Sequence, residues 1–286
     1  MSVIQISEET AYQYAGRIPP ELLNDLEREY FKGLAVKNDD TEASEAVIIW
    51  TLLRVDDENT PTEAEILWFR ADDEPAGEEL FAAFEQDIKE EQVESVSFEL
   101  ETLTAVEKNV LKKTGFKVAE AESRDICVTI GDMAALSFNK KDKKPPEYIM
   151  SLSDITTSQF KTGIMTSIFY GRYGIADDLP FLPMTRYDPD ISSCVITDDT
   201  VNGFLLIHKT LTGEFIVELL FATEPDANIN LLNMMRFSTN AAAELCEAED
   251  KVILRRHNTA SEALVHKLFP DRKGDLIMKG EKRYGN

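Results

Sequence analysis

The feature that most constrains the fold of this chain is a strand–helix unit that occurs twice. The first copy is VESVSFELETLTAVEKNVLKKTGF, residues 93–116, and the second is KVILRRHNTASEALVHKLFP, residues 251–270. Each copy reads as a short buried strand, then a helix, then an abrupt stop. Two copies of one unit predict two copies of one domain.

The length and composition are those of a globular protein with more than one core. With 286 residues, of which 43% are hydrophobic, each half is large enough to bury a core of its own. The N-terminal segment has neither a basic start nor a continuous apolar run, so we expect no signal peptide. The apolar stretches are strand-sized, so we also expect no membrane-spanning helix and no membrane partner.

The cysteines and histidines predict a reduced protein without a metal site. Cys127, Cys194 and Cys246 are odd in number and widely spaced, which favours free thiols and a cytoplasmic location. Three scattered histidines without a Cys-x-x-Cys pair predict no zinc site.

The charge of the chain is strongly negative and unevenly shared. Residues 1–138 contain 32 acidic and 12 basic residues, whereas residues 139–286 contain 21 and 18, and the net charge is −23. Such a surface repels phosphate backbones, so we expect no nucleic-acid partner. Two interpretations remain: the acidity serves solubility, or the first half binds a basic partner.

The segment NKKDKKPPE, residues 139–147, contains six charged residues and two prolines and no apolar residue. It predicts a linker between a first domain at 1–138 and a second at 148–286. Before it, hydrophobic periodicity predicts the following elements: a helix at 20–35, strands at 46–55 and 64–70, a helix at 75–91, a strand at 93–100, a helix at 104–114 and a strand at 117–130.

After the linker a similar order returns. The predicted elements are a helix at 154–170, strands at 192–197, 201–210 and 214–222, a helix at 228–247, a strand at 251–256, a helix at 259–268 and a strand at 275–282. This alternation predicts the α+β class, with a mixed sheet flanked by helices in each half. The long segment 170–190 is either a functional lid or the cover of a sheet edge.

Both halves resemble the GNAT (GCN5-related) N-acetyltransferases in the order and spacing of these elements. The ending Thr114–Gly115–Phe116 carries the resemblance in the first half, and Asn258 with Lys267–Leu268 carries it in the second. The resemblance implies two GNAT-like domains, each with a mostly antiparallel mixed sheet whose two central strands splay apart. It also implies acetyl-CoA as cosubstrate, with the pantetheine arm lying between those strands.

The loop that binds the coenzyme diphosphate in the family is altered in the first half. The family has a Gln or Arg, then two glycines or a glycine and an alanine, before a helix. In RADDEPAGEEL, residues 70–80, the basic position is Asp72, the first glycine is Pro75, and Gly77 remains. Five carboxylates crowd this loop and would repel a diphosphate, so the first domain is predicted to have lost coenzyme binding.

The corresponding loop of the second half, ATEPDANINLLNMM at 222–235, is less unfavourable for a diphosphate. Asp226 stands at the basic position, and Ile229 replaces the first glycine. Asn228 and Asn230 either cap the following helix or donate hydrogen bonds to an anion. The site implied by the resemblance uses backbone and side-chain groups of these residues: Leu220, Ala222, Thr223, Asn228, Asn230 and Asn258.

Candidate groups for proton transfer are few. Glu218, inside the apolar segment FIVELLFA, is the predicted general base, with a pKa raised by its neighbours; the alternative is an exposed Glu218, or one paired with Arg255. His208 and His257 are alternative bases. The tyrosine that serves as acid in many GNAT members is replaced by the residues Leu111 and Val265, which leaves the loop residues Tyr170, Tyr173 and Tyr187 as candidates.

Three functions therefore remain open. In the first, the second domain transfers an acetyl group from acetyl-CoA to an amine on a small molecule or a basic peptide. In the second, two degenerate acetyltransferase folds form a non-catalytic binding or regulatory protein. In the third, the splayed strands hold another ligand and the acidic loops select a cation.

Overall fold

A computed structural model describes residues 1–26, 30–38, 44–53, 62–139, 144–175, 179–223 and 225–284. The chain forms two compact units that do not coincide with its two halves. Unit 1 consists of Met1–Ser123 and Asp275–Asn286, and unit 2 is Arg124–Gly274. Within the described ranges every helix is too short or too polar to cross a membrane.

The helices and strands alternate along the chain in both units. In unit 1 they are β1 (Ser2–Gln5), α1 (Glu8–Ala11), α2 (Pro20–Asp25), β2 (Phe31–Lys37), β3 (Ser44–Leu53), β4 (Thr62–Ala71), α3 (Glu74–Glu90), β5 (Val93–Leu100), α4 (Ala105–Lys113) and β6 (Lys117–Glu122). In unit 2 they are β7 (Asp125–Thr129), α5 (Ile130–Ala134), β8 (Ile149–Ser151), α6 (Thr157–Phe169), β9 (Ser193–Thr197), β10 (Thr200–Lys209), β11 (Phe215–Ala222), α7 (Ala227–Leu245), β12 (Lys251–Arg255) and α8 (Thr259–Leu268). The last strand, β13 (Leu276–Arg283), returns to unit 1.

Each unit contains one mixed sheet. The strand order is β1-β2-β3-β4-β5-β13-β6 in unit 1 and β7-β12-β11-β10-β9-β8 in unit 2. The pairs β4–β5 and β11–β12 are parallel and the other pairs are antiparallel. These sheets, with helices packed on them, confirm the predicted α+β class.

Each half of the sequence supplies one strand to the sheet that is built mainly from the other half. β13, from the end of the chain, pairs with both β5 and β6, and β7, from the middle of the chain, pairs with β12. The chain leaves unit 1 after Ser123 and returns to it at Asp275. The backbone N–H of Ser123 donates to the carbonyl of Asp275 at 2.8 Å. Each parallel pair of central strands is therefore flanked by a strand that the other part of the chain supplies.

The core of unit 1 is built from interlocking aromatic rings beneath α3. Asp73 begins this helix by accepting a hydrogen bond from the Ala76 backbone N–H at 2.8 Å, and Pro75 stands in the first turn. Phe84 meets Trp50 and Phe81 edge to face, with ring centroids 5.0 and 5.6 Å apart. Such edge-to-face pairs add stability beyond the area they bury, and Trp50, Phe81 and Phe84 are all buried.

Unit 2 has a core on each face of its sheet. One core lies under α6 and includes Phe160, Phe204 and Phe221. The other lies under α7 and α8, where most of the buried side chains are aliphatic or Met. This second face is the one with the cavity described below.

Most predicted elements are present, and three predictions differ from the structure. The helix predicted at 20–35 ends at Asp25, and 31–37 form strand β2; residues 27–29 lie outside the described part. The periodicity of the apolar run Gly33–Val36 fits a helix as well as a strand. The run forms a strand because it pairs with β1 and β3.

The strand predicted at 117–130 is two strands, β6 and β7, which belong to different units. The predicted linker 139–147 lies inside unit 2, and its residues 140–143 are outside the described part. The chain crosses from unit 1 to unit 2 near Ser123, where it changes its sheet partner. Such a change has no local signal in the sequence. The predicted domain limits at 138 and 148 therefore differ from those of the compact units.

Candidate functional site

The two central strands of unit 2 separate soon after they meet. In the part of the chain that the structure describes, β11 and β12 are paired only at Phe215 with Val252 and at Ile216 with Ile253. Beyond these pairs β11 continues to Ala222 without β12 beside it. The result is an opening in the sheet between the C-terminal ends of two parallel strands, a common location for ligand sites in sheets of this kind.

A cavity of about 580 Å³ fills this opening and continues between α7 and α8. It reaches both faces of the sheet, because Leu219 and Leu220, whose side chains point to opposite faces of β11, both line it. We call the part nearest the strand opening the upper half; its wall includes Glu218, Leu220, Ala222, Asn228, Asn258 and Ser261. We call the remainder the lower half; its wall includes Ile130, Met133, Phe215, Met235, Ala242 and Val252.

A β-bulge places Glu218 at the opening. Leu206 pairs with Leu219 and Ile207 with Val217, so Glu218 is the extra residue of β11. Its carbonyl accepts a hydrogen bond at 3.0 Å from the backbone N–H of Ile175, in the loop after α6. Residues 171–174 of this loop thus supply part of the cavity wall.

Gly174 allows this loop to approach the strand so closely. Its φ is +72°, and a Cβ there would lie 3.0 Å from the Glu218 carbonyl oxygen. Any other residue at position 174 would be strained and crowded. The wall of the opening on this side is therefore fixed by a tight backbone contact.

The carboxylate of Glu218 is buried in a charged cluster. Oε1 accepts a hydrogen bond from Arg186 Nη2 at 2.8 Å and lies 2.6 Å from His208 Nδ1, and the hydroxyl of Tyr187 donates to Oε2 at 3.4 Å. Burial alone would raise the pKa of Glu218, but the contacts with His208 and Arg186 outweigh it and lower the pKa to about 2.

Two expectations about Glu218 are therefore corrected. Its pKa is lowered and not raised, because two basic side chains meet the carboxylate inside the sheet. Its partner is not Arg255, whose Nε lies 3.3 Å from Asp125 Oδ2. A carboxylate with so low a pKa is a weak proton acceptor on its own.

The start of α7 forms one rim of the upper half. Asp226 is its N-cap residue and makes no side-chain capping hydrogen bond, so this helix start differs from the capped starts of α3 and α4. Asn228 is exposed and lines the cavity. Asn230 is buried, does not line the cavity, and has an Oδ1 atom without a hydrogen-bond partner among the described residues.

The end of β11 supplies less to the site than predicted. Leu220 and Ala222 line the cavity, but Thr223 does not. The backbone N–H of Thr223 donates to the carbonyl of Asn202 at 2.9 Å. It is therefore engaged within the protein.

The start of α8 forms the opposite rim. Asn258 accepts a hydrogen bond from the Ser261 backbone N–H at 2.9 Å, and its Nδ2 lies 2.8 Å from His257 Nε2. All three residues line the cavity. Asn258 thus caps its helix, as the N-terminal position requires, and also faces the ligand space.

The three candidate tyrosines are not equivalent. Tyr173 lines the cavity, Tyr187 is buried against Glu218, and Tyr170 is exposed and lies outside the cavity wall. Val265, at the position where many family members have tyrosine, lines the cavity but has no proton to donate. Tyr173 is therefore the candidate acid that faces the ligand space.

The equivalent opening in unit 1 is filled by the protein itself. β4 and β5 separate after Ile66 and Phe98. There the fully buried carboxylate of Glu107 accepts hydrogen bonds from the backbone N–H groups of Thr104 at 2.7 Å and Ala71 at 3.3 Å. The end of the central strand is thus bonded to a side chain of α4 and not left open to a ligand.

The helices α3 and α4 also pack directly on each other. A Cβ at Gly77 would lie 2.8 Å from Val110 Cγ2, so only glycine allows this approach. Lys113 of α4 forms ion pairs with Glu74 and Glu78 at the start of α3, and its hydrogen bond to Glu74 holds the pKa of that carboxyl below its usual range. Gly77 therefore serves helix packing in this unit.

Sequence reasoning did not identify two residues that shape these sites. Arg186 lies in the long loop 170–190, and the local sequence does not indicate that its side chain contacts β11. Glu107 stands three residues after Thr104, which is the spacing of a capping box. That pattern was available, but the additional reach of Glu107 to Ala71 depends on tertiary structure.

Comparisons with known proteins agree on the fold. No family model and no curated protein sequence matches the chain. Among solved structures, a tandem GNAT protein from the clavulanic acid biosynthesis pathway is similar over 100% of this chain and 99% of its own, with a TM-score of 0.63 and 10% identity.

Two GCN5-related N-acetyltransferases are also similar, each with a TM-score of 0.51. The protein from Kribbella flavida is 12% identical over 98% of this chain and 96% of its own. The protein from Sphaerobacter thermophilus is 13% identical over 99% and 97%. The chain therefore has the tandem GNAT fold, which confirms the resemblance seen in the sequence.

Proposed function

We propose that unit 2 is an acyl-CoA-dependent N-acyltransferase and that unit 1 has no coenzyme site. The observation that carries this proposal is the contrast between the two openings. In unit 2 the strands part around a cavity of about 580 Å³, within the usual range for ligand sites, whereas in unit 1 Glu107 fills the same place.

The upper half of the cavity suits the pantetheine arm of the coenzyme. Its wall combines the apolar, half-buried end of β11 at Leu220 and Ala222 with polar groups at the starts of α7 and α8. Asn228 and Asn258 stand at its two rims, where their amide groups can donate to an oxygen of the arm. These residues fit the coenzyme on the chemistry of their side chains and backbone.

The residues of unit 2 suit the coenzyme diphosphate less well than the pantetheine arm. Its place would be the start of α7, where the first-turn N–H groups favour an anion. Asp226 at this start is unfavourable, while Arg172 and Arg255 line the same cavity and are favourable. We therefore expect binding that depends more on the arm and the acyl group than on the diphosphate.

The reaction would be direct acyl transfer to an amine. The coenzyme supplies an acyl thioester: the amine nitrogen bonds to the carbonyl carbon, the carbon–sulfur bond breaks, the ammonium loses a proton and the thiolate gains one. Glu218 lines the opening and is in contact with His208, so the proton from the amine can pass through this pair. Tyr173 is the candidate donor to the thiolate.

The acceptor would be cationic. We propose an amine-bearing small molecule or a basic peptide, because the net charge of −23 raises the local concentration of cations. The buried carboxylate of Glu218 adds a negative group at the opening, although Arg186 compensates it in part.

A non-catalytic binding function is the second candidate. The low pKa of Glu218 and the valine at position 265 favour it, because each weakens a group that catalysis would need. In this case the cavity would bind acyl-CoA without turnover. Release of free CoA in the presence of polyamines or basic peptides separates the two candidates.

The first test is calorimetric titration with acetyl-CoA and with CoA. Ser261 and Glu107 are both the third residue of their helices, so Ser261→Glu would place a carboxylate in the unit 2 opening as in unit 1. We expect saturable binding to the natural protein and at least tenfold weaker binding to this variant. Ser158→Glu adds the same charge to an exposed first turn and should bind normally.

Absence of binding to the natural protein at millimolar coenzyme would refute both candidate functions. Equal binding by Ser261→Glu and the natural protein would place the coenzyme outside the opening between β11 and β12. Circular dichroism of both variants checks that α8 and the sheet are intact.

A further inference from the structure

The lower half of the cavity extends well beyond what the strand opening requires. Along α7 the cavity wall runs from Asn228 to Ala242. At 1.5 Å per residue these positions are about 21 Å apart along the helix axis. The lower half lies over the paired part of the strands, beside Phe215 and Val252, where a folded protein normally has a packed core.

The two units show how this space arises. When Leu80–Phe81 of α3 is aligned with Met234–Met235 of α7, the buried positions Phe84 and Ile88 of α3 fall on positions that are buried in α7 as well. Phe84 of unit 1 then corresponds to Ser238 of unit 2, and Ile88 corresponds to Ala242. Side chains that fill the core of unit 1 are thus small in unit 2, and both Ser238 and Ala242 line the cavity.

The chemistry of the lower half is that of an apolar channel. Most of its wall is formed by aliphatic, Met and Phe side chains, and Ser238 and Thr239 are the polar residues that α7 contributes to it. The hydroxyl of Ser238 is already hydrogen-bonded to Ser193 Oγ at 2.9 Å. Apolar cavities stay dry and accept apolar ligands. Water is therefore a poor occupant of this space.

The far end of the lower half is held in place. Ile130 and Met133 of α5 form part of its wall. The helix is fixed by hydrogen bonds from the backbone N–H groups of Ile130 and Gly131 to the carbonyls of Asp250 and Ala248, at 3.0 and 2.9 Å. The channel thus has a fixed boundary, which sets a limit on the length of its occupant.

We infer that the lower half holds the linear acyl chain of an acyl-CoA, so that the transferred group is longer than acetyl. This inference rests on the proposed function, which places the pantetheine arm in the upper half. The thioester then lies at the opening beside Glu218, and the chain runs along α7 towards Ala242. The bond changes are those of acyl transfer given above, with a longer acyl group.

The test compares acyl-CoA esters of increasing chain length by calorimetry. We expect octanoyl-CoA to bind at least tenfold more tightly than acetyl-CoA, with affinity reaching a plateau at the length that fills the channel. Ala242→Ile introduces the residue of unit 1 into the channel and should abolish this advantage while acetyl-CoA binds within twofold of normal. Ala243→Ile, on the exposed side of the same helix, should leave both affinities unchanged.

A second variant guards against misfolding of the first. Met133→Phe narrows the far end of the channel from α5 and should shorten the chain length at which affinity stops rising. The melting temperature of each variant is measured beside its affinities. A fatty acid without coenzyme, octanoate, is titrated as well, because a free fatty acid would offer the same chain.

The outcomes separate this inference from the proposed function. If acetyl-CoA binds and octanoyl-CoA binds no more tightly, the chain assignment is wrong and the acyltransferase proposal stands. If the octanoyl advantage survives in both Ala242→Ile and Met133→Phe, the chain lies elsewhere and the inference fails. Tighter binding of octanoate than of octanoyl-CoA would overturn the assignment to a thioester, and absence of binding by every ester would overturn both proposals.

Discussion

At the scale of single residues, Glu218 shows how neighbours reverse the effect of burial. The apolar flanks of this residue in sequence indicate a raised pKa, yet Arg186 and His208 lower it to about 2. Neither neighbour is close in sequence, since one comes from the long loop and the other from β10. The charge state of Glu218 is therefore a property of the tertiary structure.

We expect Glu218→Gln to lower the free energy of unfolding of unit 2 at neutral pH by about 2–3 kcal/mol, because it removes the buried charge that Arg186 faces. The pKa of Glu218 is depressed on folding, from 4.5 to about 2, so its contribution is present above about pH 4.5 and is lost as the pH falls towards 2. The difference between variant and natural protein should be constant from pH 7 to 5 and narrow below that.

Urea unfolding at a series of pH values measures this difference. Glu262→Gln, on the exposed surface of α8, is the control and should change stability little. A difference that stays constant down to pH 2.5 would show that the carboxylate is not held ionised by its neighbours.

At the scale of elements, the sequence was most informative where a single period ran without interruption. The amphipathic pattern of α3, with Leu80, Phe81 and Phe84 on one face, predicted that helix closely. The segment 31–37 was predicted wrongly because its apolar run satisfies two periods at once. The open cavity was beyond prediction, since it depends on what Ser238 and Ala242 leave unfilled against residues from several other elements.

The helix α4 offers a test of the closed opening in unit 1. Glu107→Ala would leave the buried backbone N–H groups of Ala71 and Thr104 without this acceptor. We expect the free energy of unfolding of unit 1 to fall by about 1–3 kcal/mol, the usual cost of unsatisfied buried donors. Denaturant unfolding followed by the fluorescence of Trp50 and Trp68 reports on this unit.

The matched control is Glu101→Ala, at an exposed position just before α4. It removes a similar charge without touching the opening and should have little effect. Equal effects of the two variants would mean that the Glu107 hydrogen bonds contribute nothing measurable to unit 1.

At the scale of the whole molecule, unit 1 is completed by β13, a strand from the far end of the chain. β13 lies between β5 and β6, so unit 1 needs the last strand of the chain to join these two neighbours. Charge is also distributed by unit: unit 1 contains 32 acidic and 14 basic residues, and unit 2 contains 21 and 16. The acidity belongs mainly to the unit whose opening is closed.

We expect a chain that ends at residue 274 to lose cooperative unfolding of unit 1, because removal of β13 separates β5 from β6. A peptide of residues 275–286 added in trans should restore it. A chain that ends at residue 284 keeps β13 and serves as the control. Thermal unfolding followed by tryptophan fluorescence measures both, and a fully cooperative transition in the chain ending at 274 would contradict this prediction.

The position of β13 also has a consequence for synthesis on the ribosome. A chain emerges from its N-terminus, and domains usually fold as units in that order. Here residues 1–123 emerge first, but their sheet waits for residues 276–283, which are made after all of unit 2. Unit 2 has its whole sheet available earlier, so the second unit to be translated is the first that can complete its native structure.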